Sequence, residues 1–202
     1  LKAEHGTGRN MAPFVETERL PSPLQSRWTD ASSLPSRTLG DADVRNRVAE
    51  EVATYRQCFG VTPAVVVPPT FVWNECVEQA WAREGVRVLV TPGERYEVRG
   101  ADGLPVDTGV YYRNGQRCPS GLIAMVRNDY FEPVRGHRAE RGLAALAARW
   151  AQRRPLLLET HRSNFVGSAA QPRDSVRAVG DLVSAALAAQ PTLRFVSVAE
   201  LA

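Results

Sequence analysis

The stretch FGVTPAVVVPPTFVWNECVEQAWAREGVRVLV, residues 59–90, decides the fold. It holds two short apolar runs, residues 64–67 and 86–90, with a helical pattern between them. Asn74 stands where an N-cap belongs, because its side-chain oxygen can accept a free backbone N–H of the first turn. Gly85 stands where a helix stops. Apart from Arg87 both runs are continuously apolar, as expected of strands covered on both faces. Strand, helix and strand in that order make a βα unit.

The same rhythm continues on both sides. Residues 41–60, DADVRNRVAEEVATYRQCFG, read as a helix capped by Asp41 or Asp43 and ended by Gly60. Its face is Val44, Val48, Val52 and Tyr55. Residues 91–121 carry turn signals, with a hairpin within 95–112. Apolar runs recur at 122–126, 155–160 and 194–198, with helical patterns at 139–152 and 173–190 between them. The sequence therefore predicts five parallel strands of one sheet. No GxGxxG follows a strand and no GxxxxGK[ST] occurs, so the pattern favours a βα barrel over a nucleotide-binding open sheet. Residues 1–40 are rich in Pro, Ser, Thr and Arg and read as an irregular segment at the barrel rim. Residues 41–202 read as a single βα-repeat barrel domain.

Composition narrows the function classes. Hydrophobic residues make up 44% and charged residues 23% of the 202, an ordinary globular balance. No apolar run approaches the roughly 20 residues needed to span a bilayer. The net charge of +3 comes from scattered arginines interleaved with acids, with Lys2 the one lysine. That is not the clustered footprint of a nucleic-acid binder. Cys58, Cys76 and Cys118 lie far apart, without the CxxC spacing of a zinc site.

In a βα barrel, chemistry collects at the C-terminal ends of the strands. Those ends read Pro68, Pro69, Thr70, Phe71, Val72, Trp73; then Arg127, Asn128, Asp129, Tyr130, Phe131, Glu132; then Glu159, Thr160, His161, Arg162, Ser163, Asn164. Glu159 and His161, two apart on a strand, share a face. A carboxylate beside an imidazole is a usable acid/base pair, so both are catalytic candidates. Asn128 and Glu132 on the neighbouring strand end are candidates to bind substrate. Glu132 and Glu159 together are also placed to serve as a glycosidase carboxylate pair. His137 reads as a loop residue before a helix. GxSxG and HExxH are both missing.

The order of these motifs resembles the polysaccharide deacetylases of the NodB type. The resemblance rests on residues 59–90, RNDYFEP, PLLLETHRSNFVG and the closing RFVSVAEL, and covers roughly residues 55–202. It implies a distorted (β/α) barrel of the deacetylase type, incomplete at the N-terminus. It also implies removal of acetyl groups from an amino-sugar-containing glycan, with a divalent metal, zinc by preference. By position, Pro68 and Pro69 match the wall of the substrate groove, His161 the general acid, and His5 a metal-binding histidine.

The departures from that pattern are specific. Val67 replaces the usual arginine and Arg162 the usual aspartate. Arg9 and Asn10 stand near where a second metal histidine belongs, and no Asp-Asp pair occurs. A zinc site of this kind needs three protein ligands, so the chain alone is expected to bind zinc weakly or not at all. Two alternatives stand beside the deacetylase. One is a glycosidase using Glu132 and Glu159. The other is a non-catalytic glycan-binding barrel in which Trp73, Tyr111, Tyr112 and Tyr130 stack on sugar rings. All three take a glycan as partner.

Overall fold

A computed structural model describes residues 26–30, 32–167 and 170–202. The chain forms two compact units. The first takes the described residues up to Val126 together with Val198–Ala202, and the second is Arg127–Ser197.

The first unit opens with a small antiparallel pair, β1 (Thr29–Asp30) and β2 (Arg37–Thr38). Helix α1 (Asp41–Phe59) follows. Its N-cap is Gly40, not an aspartate; Asp41 and Asp43 fall in the first turn, where carboxylates meet the positive end of the helix dipole. Gly60 ends the helix at φ 73°, a left-handed conformation that glycine adopts without a Cβ penalty. Val44, Val48 and Val52 are fully buried along one stripe. Tyr55, expected on that stripe, is exposed and meets the Phe59 ring at a tilt, 4.6 Å between centroids, instead.

The opening stretch forms the unit it predicts. β3 (Val65–Val66), α2 (Glu75–Arg83) and β4 (Val88–Thr91) make one parallel crossover, and Asn74 Oδ1 accepts the Val77 N–H at 3.1 Å. After it come a hairpin of β5 (Glu94–Arg99) and β6 (Pro105–Tyr111), then β7 (Gln116–Arg117) and β8 (Ile123–Val126). β8 is parallel to β4 and antiparallel to β7, giving the sheet order β3-β4-β8-β7. Trp28, Trp73, Trp81, Leu89 and Leu122 fill the core between α1, α2 and this sheet. Trp28 meets Trp81 edge to face at 5.4 Å, a preferred aromatic geometry.

The second unit contains β9 (Asp129–Tyr130), α3 (Ala139–Ala151), β10 (Leu158–Glu159) and α4 (Ala170–Ala189). β9 and β10 pair in parallel, with Tyr130 opposite Glu159. The run at 155–160 thus yields a two-residue strand whose partner is β9, in a sheet separate from β3-β4-β8-β7. Residues 194–198 correct the sequence expectation outright. Phe195 and Val196 are exposed, no ladder is described there, and Val198 begins a short helix, Val198–Leu201. Aromatic and β-branched residues suit a strand only where a neighbour satisfies the backbone and covers the side chains.

α3 and α4 approach closely at Gly142. A Cβ built there would lie 2.7 Å from Leu182 Cδ2, too close for any real contact. Helix propensity favours Ala over Gly by about 1 kcal/mol, but overpacking costs about 1–3 kcal/mol. Gly142→Ala is therefore expected to lower the thermal midpoint by a few degrees; a raised midpoint would show that Leu182 moves aside freely.

Candidate functional site

The second unit brings three of the sequence candidates together. Glu132 follows β9, at the entry to a 3₁₀ turn, Pro133–Arg135. Glu159 ends β10, and His161 caps a second 3₁₀ turn, Arg162–Asn164. The Phe131 N–H donates to the Glu159 carbonyl at 2.7 Å, which ties the two strand ends together.

The His161 ring sits between two carboxylates. Its Nδ1 lies 2.7 Å from Glu132 Oε1, and its Nε2 lies 3.1 Å from Glu159 Oε1. The side chains differ sharply in exposure: His161 60%, Glu159 22%, Glu132 2%. Of the three, His161 and Glu159 present side-chain surface to solvent, while Glu132, a substrate-binding candidate in the sequence, lies buried against the imidazole. As imidazolium the ring donates to both carboxylates, and as a neutral ring to one. Arg127 forms an ion pair with Glu159 and places a cation beside that carboxylate.

Glu132 is held on every side. Its Oε1 also accepts the His161 backbone N–H at 3.1 Å, and its Oε2 accepts the Asn164 amide at 2.6 Å. Burial alone would push this carboxyl up. The Asn164 amide, then the His161 ring, backbone N–H and charge more than offset that, so its pKa is lowered from the ordinary 4.5. A lowered folded-state pKa contributes stability above the ordinary carboxyl range and loses it as pH falls through the folded value. The Glu132 N–H donates to His137 Nδ1 at 3.0 Å, so His137, read as a plain loop residue, is part of the same scaffold.

The remaining candidates have other surroundings. Asn128 clasps backbone: its amide donates to the Pro155 carbonyl at 2.9 Å and its Oδ1 accepts the Leu157 N–H at 3.0 Å. Both ends of that side chain are engaged in holding the chain, which accounts for the residue without a substrate. Pro68, Pro69 and Trp73 lie in the first unit. Pro68 is buried and Pro69 begins a 3₁₀ turn, Pro69–Phe71. Trp73 is fully buried and donates its indole N–H to Glu78 at 2.9 Å. Trp73 and the buried Tyr112 are thus core residues, not sugar platforms, while Tyr111 is exposed. Tyr130 is also exposed, with Arg141 over its ring at 5.0 Å and His137 at 5.4 Å.

His5 lies outside the described residues. Among those described, no group of three or more His, Cys, Asp or Glu side chains is arranged to hold a metal.

Sequence reasoning passed over Asn164 and Arg127. Both stood in the polar strand ends, but only the 3₁₀ turn brings Asn164 back beneath His161. It also missed Glu78, whose helical position gives no sign of the buried network it anchors.

An exposed imidazole braced between two carboxylates is acid/base equipment of the kind a hydrolase uses. The family model for glycosyl hydrolase family 57 matches residues 23–132, more than half of the chain, and the chain belongs to that family. Membership makes it a hydrolase of the glycosidase type and sets the glycosidase alternative ahead of the deacetylase resemblance. The match ends at Glu132, the buried carboxylate of the site. No curated protein and no solved structure matches the chain.

Proposed function

We propose that the chain hydrolyses glycosidic bonds, with His161 as the proton donor, Glu159 as the second acid/base group, and Glu132 holding the imidazole in place. The observation that carries this reading is the His161 ring fixed between Glu132 and Glu159 while remaining the most exposed of the three. A glycosidase needs one group to protonate the leaving oxygen and another to activate water or attack the anomeric carbon.

His161 Nε2 and Glu159 Oε1 touch at 3.1 Å, far closer than the roughly 6.5–9.5 Å between the acid and base of an inverting enzyme, so the two work as one proton relay on one side of the bond. The proton on His161 Nε2 passes to the glycosidic oxygen as the bond from that oxygen to the anomeric carbon breaks. Once the leaving group has departed, water adds to the anomeric carbon from that side and gives its proton to Glu159. The 3.1 Å contact between Glu159 Oε1 and His161 Nε2 then returns the proton to the ring and resets the site. Glu132 stays on Nδ1 throughout.

The test is product analysis on a panel of oligosaccharides and polysaccharides, with and without N-acetyl groups. New reducing ends without acetate are expected, and Glu159→Gln should abolish them. Acetate without new reducing ends would mean the same histidine serves deacetylation instead. Neither product from any glycan in the panel would overturn both readings.

A further inference from the structure

Asn164 is fully buried, and every polar atom of its side chain is engaged. Its Nδ2 donates to Glu132 Oε2 at 2.6 Å, to the His161 carbonyl at 2.8 Å and to Thr160 Oγ1 at 3.2 Å. Its Oδ1 accepts the Val134 N–H at 3.1 Å. One amide thus joins the carboxylate behind the imidazole, the backbone of the imidazole's own residue, and the 3₁₀ turn after Glu132. A residue needed only to fill space would not require an amide there.

We propose that Asn164 is the positioning residue of the site: its amide locks the Glu132 carboxylate and the His161 backbone into one unit and so fixes the direction in which the exposed imidazole points. The proposal rests on the glycosidase reading for its kinetic consequence, though the clamp itself is a property of the folded chain. The amide is also the strongest of the groups that hold the Glu132 carboxyl below its ordinary range.

Asn164→Asp separates positioning from packing. It keeps the shape but exchanges the amide donor for a second carboxyl against Glu132 Oε2. Two carboxyls in contact cannot both ionise, so the pair retains one proton until pH rises through a raised apparent pKa. Below that pH the shared proton replaces the amide hydrogen bond, and above it the carboxylates repel and the imidazole loses its brace. Glu159 and Arg127 pair with each other beside the ring, and His137 faces the Glu132 backbone N–H rather than its carboxyl. Arg135 and Arg162 lie on the two 3₁₀ turns. On α4 stand Arg173, Asp174, Arg177 and Asp181, with Asp174 and Arg177 paired in solvent.

The expected result for Asn164→Asp is a kcat lower by roughly 10- to 100-fold at neutral pH, the scale of a misdirected catalytic group. KM should stay within about threefold, and activity should recover as pH falls. Asn164→Ala should lose kcat at every pH without recovery. A pH profile in Asn164→Asp that parallels the wild type, with only the thermal midpoint lowered, would overturn the proposal.

Histidine ring NMR adds a readout independent of turnover. The His161 ring signals should shift between wild type and Asn164→Asp at neutral pH and converge in acid; if they are identical throughout, the clamp does not exist, whatever the substrate. If they behave as expected while no glycan is cleaved, the clamp stands and the glycosidase reading fails. Should neither variant fold, the wild-type Asn164 side-chain amide protons must follow the Glu132 titration, and their indifference to it would equally overturn the proposal.

Discussion

Glu78→Ala is expected to destabilise the first unit by about 3–5 kcal/mol, the usual cost of stranding the partner of a buried ion pair. Glu78 is fully buried on α2. Its Oε1 accepts the Trp73 indole N–H at 2.9 Å and the Tyr112 hydroxyl at 2.5 Å, with Arg95 at 3.4 Å, and its Oε2 accepts the Ser120 hydroxyl at 3.2 Å. Truncation leaves a mostly buried guanidinium, an indole N–H and a phenol without their common acceptor, although Arg95 keeps Glu97 at 2.9 Å. Denaturant melts of Glu78→Ala, Arg95→Met and the pair Glu78→Met with Arg95→Met test this. The pair should cost less than Glu78→Ala, because it removes both charges together. A loss below about 1 kcal/mol for Glu78→Ala would show that water reaches the network.

The same network has a second readout. Cys118 is buried beside it, and burial first, then the Glu78 charge, push its thiol up to about 12, against the opposing Arg95. A thiol in that state is inert. Alkylation of Cys118 in the wild type should be slow and should track opening of the unit, and Glu78→Ala should speed it by opening the core. Cys58 is exposed and serves as the reactive control.

The residues that spoke clearly in the sequence are those whose structure is local. Asn74 and Gly85 bracket α2 because a cap and a left-handed stop depend on a few neighbouring backbone groups. Val65–Val66 and Val88–Thr91 pair in parallel, as apolar runs with an intervening helix imply, and Ile123–Val126 joins them in parallel across a hairpin rather than a helix. Phe195 and Val196 carry the same composition without a ladder, because pairing depends on a partner strand that no local pattern encodes. The site divides in the same way. The spacing of Glu159 and His161 put both on one face. Nothing in the spacing shows that Glu132, 29 residues before His161, is the carboxylate behind the imidazole, or that Asn164 returns to clamp it. Those contacts are made by two turns meeting in space. Trp73 misled for a related reason: an aromatic at a strand end reads as a sugar platform, yet the buried Glu78 supplies the hydrogen-bond partner that lets its indole go into the core.

His161→Ala is expected to cut turnover by roughly 10²- to 10⁴-fold, the usual contribution of a general acid or base. KM should change little, since the proton is needed in the transition state far more than in the bound ground state. Stability should also change little. The ring is largely exposed, and Glu132 keeps the Asn164 amide and the backbone N–H of position 161. Those two outcomes distinguish a proton donor from a structural ring, for which the thermal midpoint would fall and the rate per folded molecule would hold. Added imidazole should restore part of the lost rate in His161→Ala, because truncation leaves space between Glu132 and Glu159 where the ring had been. No such rescue should occur in Glu159→Gln, where the missing function is the base. A folded His161→Ala protein that turns over at the wild-type rate would remove the ring from the mechanism and leave Glu159 and Arg127 as the groups to examine next.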